Sequence, residues 1–302
     1  MVGSKGDNDK KAAQRVKDFA YEKTPEKFKN ASDFQIRLRT GTVYVLICIA
    51  SILAGDVPTM LFLAATAGIC SAEFFYMLRS DAKMPNEWIG VVGAAYLPVA
   101  AFFFGLRGIV SGALLLMLAL TLWYVFWNRA RMQDVGVSLF GSLYTGMQLA
   151  CIMLARMALP GADGGLLVLL LFVSIWANDA FAYLVGRKFG KHKLAPRTSP
   201  NKSWEGFLGG LAGGVAVWFF VGQIPSVHID PLQTLVLGVA CGLAGVLGDL
   251  CESRIKRSVG FKDSGTMMPG HGGLFDRCDS LMTTATAAFV LLVLFGCIQP
   301  VI

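Results

Sequence analysis

Eight apolar runs, each long enough to cross a lipid bilayer, constrain the fold of this chain more than any other feature. About 17 to 25 apolar residues suffice for a helix to cross roughly 30 Å of hydrocarbon. Only 16% of the 302 residues are charged, against about 25% in soluble globular proteins. A water-soluble globule and an intrinsically disordered chain are therefore excluded, and we predict an all-α polytopic membrane protein. The runs lie near 59–78, 89–106, 108–127, 135–155, 165–186, 206–224, 232–250 and 281–298.

A shorter apolar run at 41–54 leaves the number of crossings at eight or nine. The Lys and Arg residues decide between these counts, because positive charge concentrates in the cytosolic loops of membrane proteins. Nine crossings with a cytosolic N-terminus leave only Arg107 and Arg156 of the 27 basic residues outside. Eight crossings would export the ten basic residues that precede position 41. We therefore predict nine transmembrane helices, with the N-terminus in the cytosol and the C-terminus outside.

The chain divides into three regions on this topology. Residues 1–40 form a basic segment, which is either an amphipathic helix on the membrane surface or only an orientation signal. Residues 41–164 supply the first five helices, and residues 165–302 supply the last four with long polar inner loops, where we expect the catalytic region. The net charge of +7 fits membrane topology and anionic lipid, and no nucleic-acid module accompanies it.

Glycines and acidic residues mark the membrane helices of the catalytic region. The spacing of Gly206, Gly210 and Gly214 is typical of close helix packing, which is a sufficient reason for these glycines. A carboxylate inside an apolar run costs at least about 2.5 kcal/mol on insertion scales, so we expect Asp179 and Asp249 to have a functional role. Glu73 lies near the end of its run, and we expect its side chain to reach the membrane surface.

The segment 249–280 carries the clearest chemical pattern. Its first acidic residues follow a helical spacing that puts Asp249 on the same face as Lys256, and Asp276 and Asp279 open the last helix from the same membrane side. Converging carboxylates suit Mg²⁺, and the surrounding Lys and Arg residues and the glycine-rich loop suit phosphate oxygens. The pattern predicts a phosphoryl or nucleotidyl transfer site. The alternative is an ordinary basic inner loop whose Asp residues cap the last helix.

A second inner loop, at 186–206, adds six basic residues together with Ser and Thr hydroxyls. Such a loop suits a nucleoside triphosphate or a lipid headgroup. The loop does not match the Walker A or dinucleotide-binding motifs.

Three stretches resemble the signature of the phosphatidate cytidylyltransferases, also called CDP-diacylglycerol synthases: SRIKR at 253–257, KD at 262–263 and HGGLFDRCD at 271–279. The resemblance implies Mg²⁺-dependent transfer of CMP from CTP to phosphatidic acid, which yields CDP-diacylglycerol and pyrophosphate for phospholipid biosynthesis. It also implies a homodimer, and a second, monovalent cation such as K⁺ beside Mg²⁺. The compact nine-helix form suggests a bacterial plasma membrane, with the site facing the cytosol.

The resemblance and the residue pattern together assign roles within the site. We expect metal binding by Asp249, Asp276 and Asp279. We expect catalytic roles for Asp249, Asp276, Lys256, Lys262, His271 and Arg277. We expect substrate binding by Arg257, Ser253, Arg197, Lys202, Ser199, Gly272, Gly273 and Asp179.

Other classes of protein share part of this pattern. A polyprenol or dolichol kinase or a CDP-archaeol synthase would share the topology and the metal site, and lipid specificity separates these enzymes. An ion-coupled transporter would use Asp179 and Asp249 near the membrane midplane, but we find no convincing repeat between the two halves. A purely structural scaffold is disfavoured by the cost of the intramembrane carboxylates.

Overall fold

The computed structural model describes residues 33–79, 84–195, 199–270 and 272–301, which are mostly helical. The strands β1 (Lys193–Ala195) and β2 (Ser199–Ser203) form an antiparallel hairpin between the fifth and sixth helices. The predictions for Arg197, His271 and most of the N-terminal segment lie outside the described residues. The helices in the described part of the chain are α1 (Asp33–Leu53), α2 (Asp56–Arg79), α3 (Glu87–Phe126), α4 (Met132–Met157), α5 (Gly161–Phe189), α6 (Trp204–Val221), α7 (Pro231–Ser258) and α8 (Phe275–Leu294).

Seven of the described helices, α2 to α8, are long and apolar enough to cross a membrane. The apolar part of α1, Leu38–Leu53, is shorter. The prediction of an all-α polytopic membrane protein is confirmed, and the β1–β2 hairpin is a small addition to it. The count of nine crossings and the positions of the two termini stay predictions, as does the division into three regions.

The 40-residue helix α3 is broken at Gly105, where the backbone has φ of 59° and ψ of −142°. A side chain on Gly93 would contact Leu116, and one on Gly108 would collide with the carbonyl of Ala100. The two halves of α3 therefore fold back against each other. They correspond to the two apolar runs at 89–106 and 108–127. A positive φ suits glycine, which has no Cβ to clash with the backbone.

Close helix packing explains the glycines of the catalytic region. A Cβ on Gly210 of α6 would collide with Asn178 and Ala182 of α5, and one on Gly238 of α7 would touch Val215 of α6. A Cβ on Gly248 of α7 would collide with the backbone of α8. Helices α5, α6, α7 and α8 therefore pack in sequence with their backbones close together, as the glycine spacing predicts.

Four helix ends meet at one end of the bundle, which we call the loop end. The hydroxyl of Thr40 in α1 donates to the carbonyl of Pro269, at 3.1 Å. The carboxylate of Glu73 in α2 accepts from the backbone N–H groups of Leu274 and Phe275, at 3.1 and 2.8 Å. The loop that joins α7 to α8 is thereby fixed against the start of α1 and the end of α2.

Candidate active site

Helix α7 continues to Ser258 at the loop end, as the spacing of its polar residues predicts. The hydroxyl of Ser253 donates to Oδ1 of Asp249, one turn earlier, at 3.3 Å. Lys256 Nζ lies 2.7 Å from Oε2 of Glu252, also one turn earlier. Because residues three and four apart share a helix face, α7 presents one row of ionic side chains to α8 and the loop.

Lys256 lies between two buried carboxylates. Its Nζ atom is 2.7 Å from Oε2 of Glu252 and 2.6 Å from Oδ1 of Asp276. The side chain of Lys256 is 12% exposed, that of Glu252 is 1% exposed and that of Asp276 is 4% exposed. The other oxygen of Glu252, Oε1, is buried without a hydrogen-bond partner in the described part of the chain. We call this arrangement the Lys256 cluster; it carries two carboxylates for one ammonium.

The glycine-rich loop closes around the second oxygen of Asp276. Oδ2 accepts hydrogen bonds from the backbone N–H groups of Ser264 and Gly273, at 2.9 and 2.8 Å. Gly272, with φ of 84°, makes the turn and pairs with Met268 across the loop. Both oxygens of Asp276 therefore have partners within the protein. The backbone N–H of Gly273, which we expected to face a substrate anion, faces this carboxylate in the structure.

A more accessible ion pair joins the second inner loop to α7. Nζ of Lys202, on β2, contacts Oδ2 of Asp249, and these side chains are 27% and 31% exposed. Asp179 of α5 and Asp279 of α8 both interact electrostatically with Asp249 and with Lys202. Three carboxylates from three helices therefore converge near a single lysine of the described chain. The convergence that we inferred from the inner loops joined Asp249 to Asp276 and Asp279, and the roles of these residues toward a metal stay predictions.

A cavity of about 230 Å³ lies beside these carboxylates. Asp179, Asp276, Asp279 and Arg277 line its polar part. Its other walls come mainly from α1 and α5, with Met268 of the loop and Leu281 of α8, and are largely apolar. The apolar lining consists mainly of Tyr44, Val45, Phe172, Ile175 and Trp176.

The donors at this site suit a hard cation, although they do not form a complete cage. Asp179, Asp249 and Asp279 offer carboxylate oxygens that repel one another, and such oxygens are the ligands that Mg²⁺ prefers. No group of three or more His, Cys, Asp or Glu side chains in the described residues has the arrangement of a metal site. Mg²⁺ commonly binds through one or two carboxylates and completes its shell with water and substrate phosphates. The residues present therefore fit such an ion.

Other predicted site residues lie further from the cavity. Arg257 and Lys262 are exposed, and the guanidinium of Arg257 donates to the carbonyl of Phe261 at 3.1 Å. Ser199 begins β2 and pairs with Ala195 of β1. These three residues line neither the cavity nor the Lys256 cluster, and their roles toward a substrate stay predictions.

Glu73 has a role at the loop end that the sequence did not reveal. Its carboxylate accepts from Ser264 Oγ at 2.9 Å and from two backbone N–H groups at the start of α8. Its expected position at the membrane surface stays a prediction. The first N–H groups of a helix lack partners within the helix, and the Glu73 carboxylate supplies acceptors for them. Its negative charge also interacts favourably with the positive end of the α8 dipole. The signal in the sequence was an acidic residue near the end of an apolar run, but nothing in the sequence identified its partners.

Comparisons with known proteins test the resemblance that we inferred from the sequence. A profile of the cytidylyltransferase family matches residues 35–295. A phosphatidate cytidylyltransferase of Bacillus subtilis is 30% identical over 272 residues, which cover 87% of this chain and 99% of the relative. That of Mycobacterium leprae is 44% identical over 137 residues, which cover 44% of this chain and 42% of the relative. Phosphatidate cytidylyltransferase 5, chloroplastic, of Arabidopsis thaliana is 30% identical over 302 residues, covering 90% of this chain and 75% of the relative. The resemblance inferred from the sequence is thus confirmed, and the chain belongs to the cytidylyltransferase family of nucleotidyl-transferring enzymes.

Proposed function

We propose that this protein transfers CMP from CTP to phosphatidic acid within the membrane and releases CDP-diacylglycerol and pyrophosphate. The observation that carries the proposal is a cavity that Asp179, Asp276 and Asp279 line on its polar side and that is apolar on the other side. Asp249 interacts electrostatically with Asp179 and Asp279 beside it. A nucleoside triphosphate needs polar surroundings and the acyl chains of a lipid need apolar ones, so a site that binds both substrates needs a polar side and an apolar side. The relatives named phosphatidate cytidylyltransferase support this substrate pair.

The reaction is a phosphoryl substitution that needs positioning and charge neutralisation more than covalent help from the protein. A phosphate oxygen of phosphatidic acid attacks the α-phosphorus of CTP. The bond from that phosphorus to the oxygen bridging the α- and β-phosphates breaks, and pyrophosphate leaves with the electron pair. The attacking oxygen is already anionic, so no protein base is required for it.

The protein's own residues hold the reacting groups in this scheme. Asp249 and Asp279, with Asp276 and Asp179 beside them, hold Mg²⁺, which supplies positive charge to the phosphate oxygens when bound. Lys202 and Arg277 bind phosphate oxygens at the two sides of the carboxylates. Lys256 is too enclosed between Glu252 and Asp276 to bind substrate in this arrangement, so we assign it to orienting Asp276.

The cellular setting completes the proposal. The loop end faces the cytosol, where CTP is available, and the protein lies in a bacterial plasma membrane as a homodimer. A second, monovalent cation such as K⁺ shares the site with Mg²⁺. Labelling of introduced surface cysteines in intact cells tests the orientation, cross-linking in the membrane tests the dimer, and activity in Na⁺ against K⁺ buffers tests the second cation.

The experiment that tests the reaction uses the purified full-length protein in mixed micelles with CTP and Mg²⁺, with and without phosphatidic acid. We expect equal amounts of CDP-diacylglycerol and pyrophosphate, formed only when the lipid is present. The Asp249→Asn and Asp276→Asn variants should lose at least about 100-fold in kcat, because each loses a charge on which positioning depends. Formation of CDP with a phosphorylated lipid would instead indicate a lipid kinase.

Asp230→Asn is the matched control. Asp230 caps the start of α7, at the opposite end of that helix from the site, where it accepts from the backbone N–H of Gln233 at 2.8 Å. Asn caps helices about as well as Asp, so this variant should retain the activity of the unmodified protein. Equal activities of Asp249→Asn and Asp230→Asn would contradict the proposed role of the converging carboxylates.

A further inference from the structure

The β1–β2 hairpin carries Lys202 to the site, although a hairpin of this size is weak by itself. β1 has three residues and β2 has five, and their register is irregular. A two-stranded hairpin alone is at best marginally stable in water. The contact of Lys202 with Asp249 therefore depends on a further group that holds the hairpin in place.

Glu205, in the first turn of α6, supplies this support. Its Oε2 accepts hydrogen bonds from the backbone N–H groups of Lys191 and His192, at 3.1 and 3.3 Å. Its Oε1 lies 2.6 Å from Nδ1 of the His192 ring. In the opposite direction, the backbone N–H of Trp204 donates to the carbonyl of His192, at 2.9 Å. The residues that lead into β1 are thus attached to the start of α6.

The junction between the hairpin and α6 is tightly packed. Ser203 ends β2 and caps α6, because its hydroxyl oxygen accepts from the backbone N–H of Gly206 at 3.1 Å. A Cβ on Gly190, just before β1, would collide with that hydroxyl. Lys202 immediately precedes Ser203 and lies three positions before Glu205. No flexible linker therefore separates Lys202 from the groups that hold the base of the hairpin.

Glu205 is placed to affect the hairpin rather than the substrates directly. In the described part of the chain, it lines neither the cavity nor the Lys256 cluster. The side chains of Glu205 and His192 are 26% and 78% exposed. Such accessible contacts contribute little to the stability of a whole fold. The contacts of Glu205 therefore fix the position of β1, and β1 is the strand that pairs with the strand of Lys202.

We propose that Glu205 is a positioning residue for the nucleotide, which holds the β1–β2 hairpin so that Lys202 meets the phosphate oxygens of CTP beside Asp249. This inference rests on the proposed function, in which Lys202 binds those oxygens. Without the Glu205 carboxylate, the hairpin becomes ordered only when CTP binds, and that ordering lowers the affinity for CTP. Binding of the lipid and the chemical step do not depend on the hairpin in this scheme.

Glu205→Ala tests the inference, with Glu87→Ala as the matched control. Glu87 also lies in the first turn of a helix, α3, and its partially exposed carboxylate pairs with Arg79 at 3.3 Å. We expect Glu205→Ala to raise the KM for CTP by about 5-fold or more, with kcat and the KM for phosphatidic acid within about 2-fold of the unmodified values. Glu87→Ala should leave all three values unchanged. A merely structural role of Glu205 would lower the active fraction, and with it kcat, without raising the KM for CTP.

The Lys202→Met background tests whether Glu205 acts through Lys202. Two residues that serve one contact have effects that do not add. We expect Glu205→Ala to raise the KM for CTP by less than about 2-fold once Lys202 is replaced. An effect of the same size in both backgrounds would refute the inference, as would a normal KM for CTP in Glu205→Ala.

Failure of the proposed function gives a different pattern. The unmodified protein would then form no CDP-diacylglycerol. If that product forms but Lys202→Met has a normal KM for CTP, the inference fails together with the role assigned to Lys202. If Lys202→Met raises the KM and Glu205→Ala does not, only the role of Glu205 is wrong.

Hydrogen exchange covers the case in which Glu205→Ala does not fold. Exchange of the backbone N–H groups at 191–195 and 199–204 is measured by mass spectrometry for the unmodified protein and for Glu205→Gln, with Mg²⁺ and with or without CTP, in the absence of phosphatidic acid. Equilibrium dialysis confirms that CTP is bound. We expect CTP to slow exchange in these segments by about 3-fold or more, and Glu205→Gln to exchange faster than the unmodified protein without CTP. Equal exchange rates in the two proteins, or rates that bound CTP leaves unchanged, would contradict the positioning role.

Discussion

Loss of the ammonium group from the Lys256 cluster should destabilise the protein strongly. Lys256→Met keeps most of the side-chain volume but leaves the carboxylates of Glu252 and Asp276 without the cation that each contacts within 2.7 Å. Breaking a buried ion pair by removing one partner costs about 3–5 kcal/mol, because a charge is left uncompensated in a poorly solvated place. We expect a loss of this size, about 3–5 kcal/mol, in the free energy of unfolding.

Glu252→Gln provides the contrast within the same cluster. A glutamine retains an oxygen that accepts from Lys256, and it replaces one carboxylate oxygen of Glu252 by an amide donor. Oε1 of Glu252 has no hydrogen-bond partner in the described residues, so this exchange breaks no bond at that atom. The cluster also changes from two carboxylates per ammonium to one. We expect Glu252→Gln to change the unfolding free energy by about 1 kcal/mol or less.

The assay is unfolding in mild detergent at increasing denaturant, followed by circular dichroism at the helix band, for both variants and for the double variant. Coupled neighbours deviate from additivity, so the double variant should be more stable than the sum of the single effects predicts. Adding Glu252→Gln to Lys256→Met removes one of the two carboxyl groups that lost their cation and should recover part of the loss. If Glu252→Gln were as destabilising as Lys256→Met, or the two effects simply added, the reasoning about an uncompensated buried charge would be refuted.

Three further predictions concern other parts of the structure. Glu73→Ala leaves three donors at the start of α8 and in its loop without a partner, and should lower the unfolding free energy by about 1–3 kcal/mol in the same assay; an unchanged midpoint would contradict the capping role. Gly105→Ala puts a Cβ at a positive φ and against the carbonyl of Val301, so we expect a loss of more than about 1 kcal/mol, whereas Gly136→Ala, in open space on α4, serves as its control. Lys202→Met removes the partner of Asp249, and steady-state kinetics should show a KM for CTP raised by about 10-fold or more; a normal value would remove Lys202 from the phosphate site.

The positions of the membrane helices were predictable because hydrocarbon thickness sets a minimum length for every apolar run. The run at 232–250 and the polar spacing after it together predicted α7 and its ionic face, since both depend only on residues close in sequence. The break in α3 was visible as the boundary between two runs, but the sharp turn at Gly105 was not, because many glycines in this chain serve packing instead.

The partners of the site residues were much less predictable. Glu73 caps a helix that begins about 200 positions later, and Lys202 meets Asp249 from a separate loop. Such pairings depend on how the helices pack, and residue spacing carries no information about them. The sequence predicted that carboxylates and lysines from the last helices would converge. It did not predict that Lys256 and Asp276 would be enclosed in a buried cluster while Lys202 and Asp249 remain partly exposed.

Because Asp276 is buried and Asp249 is partly exposed, their substitutions differ in how well they separate a loss of catalysis from a loss of stability. Asp276 forms an ion pair with Lys256 and accepts hydrogen bonds from two backbone N–H groups. Asp276→Asn is therefore expected to alter the loop and the Lys256 cluster as well as any metal site. Its loss of activity alone would not separate the two effects. Asp249 has one lysine partner and lies 31% exposed, and ion pairs accessible to solvent contribute about 0–1 kcal/mol to stability. Asp249→Asn should therefore unfold at nearly the same denaturant concentration as the unmodified protein and still lose turnover, and this combination would assign the carboxylate to the active site rather than to the stability of the fold.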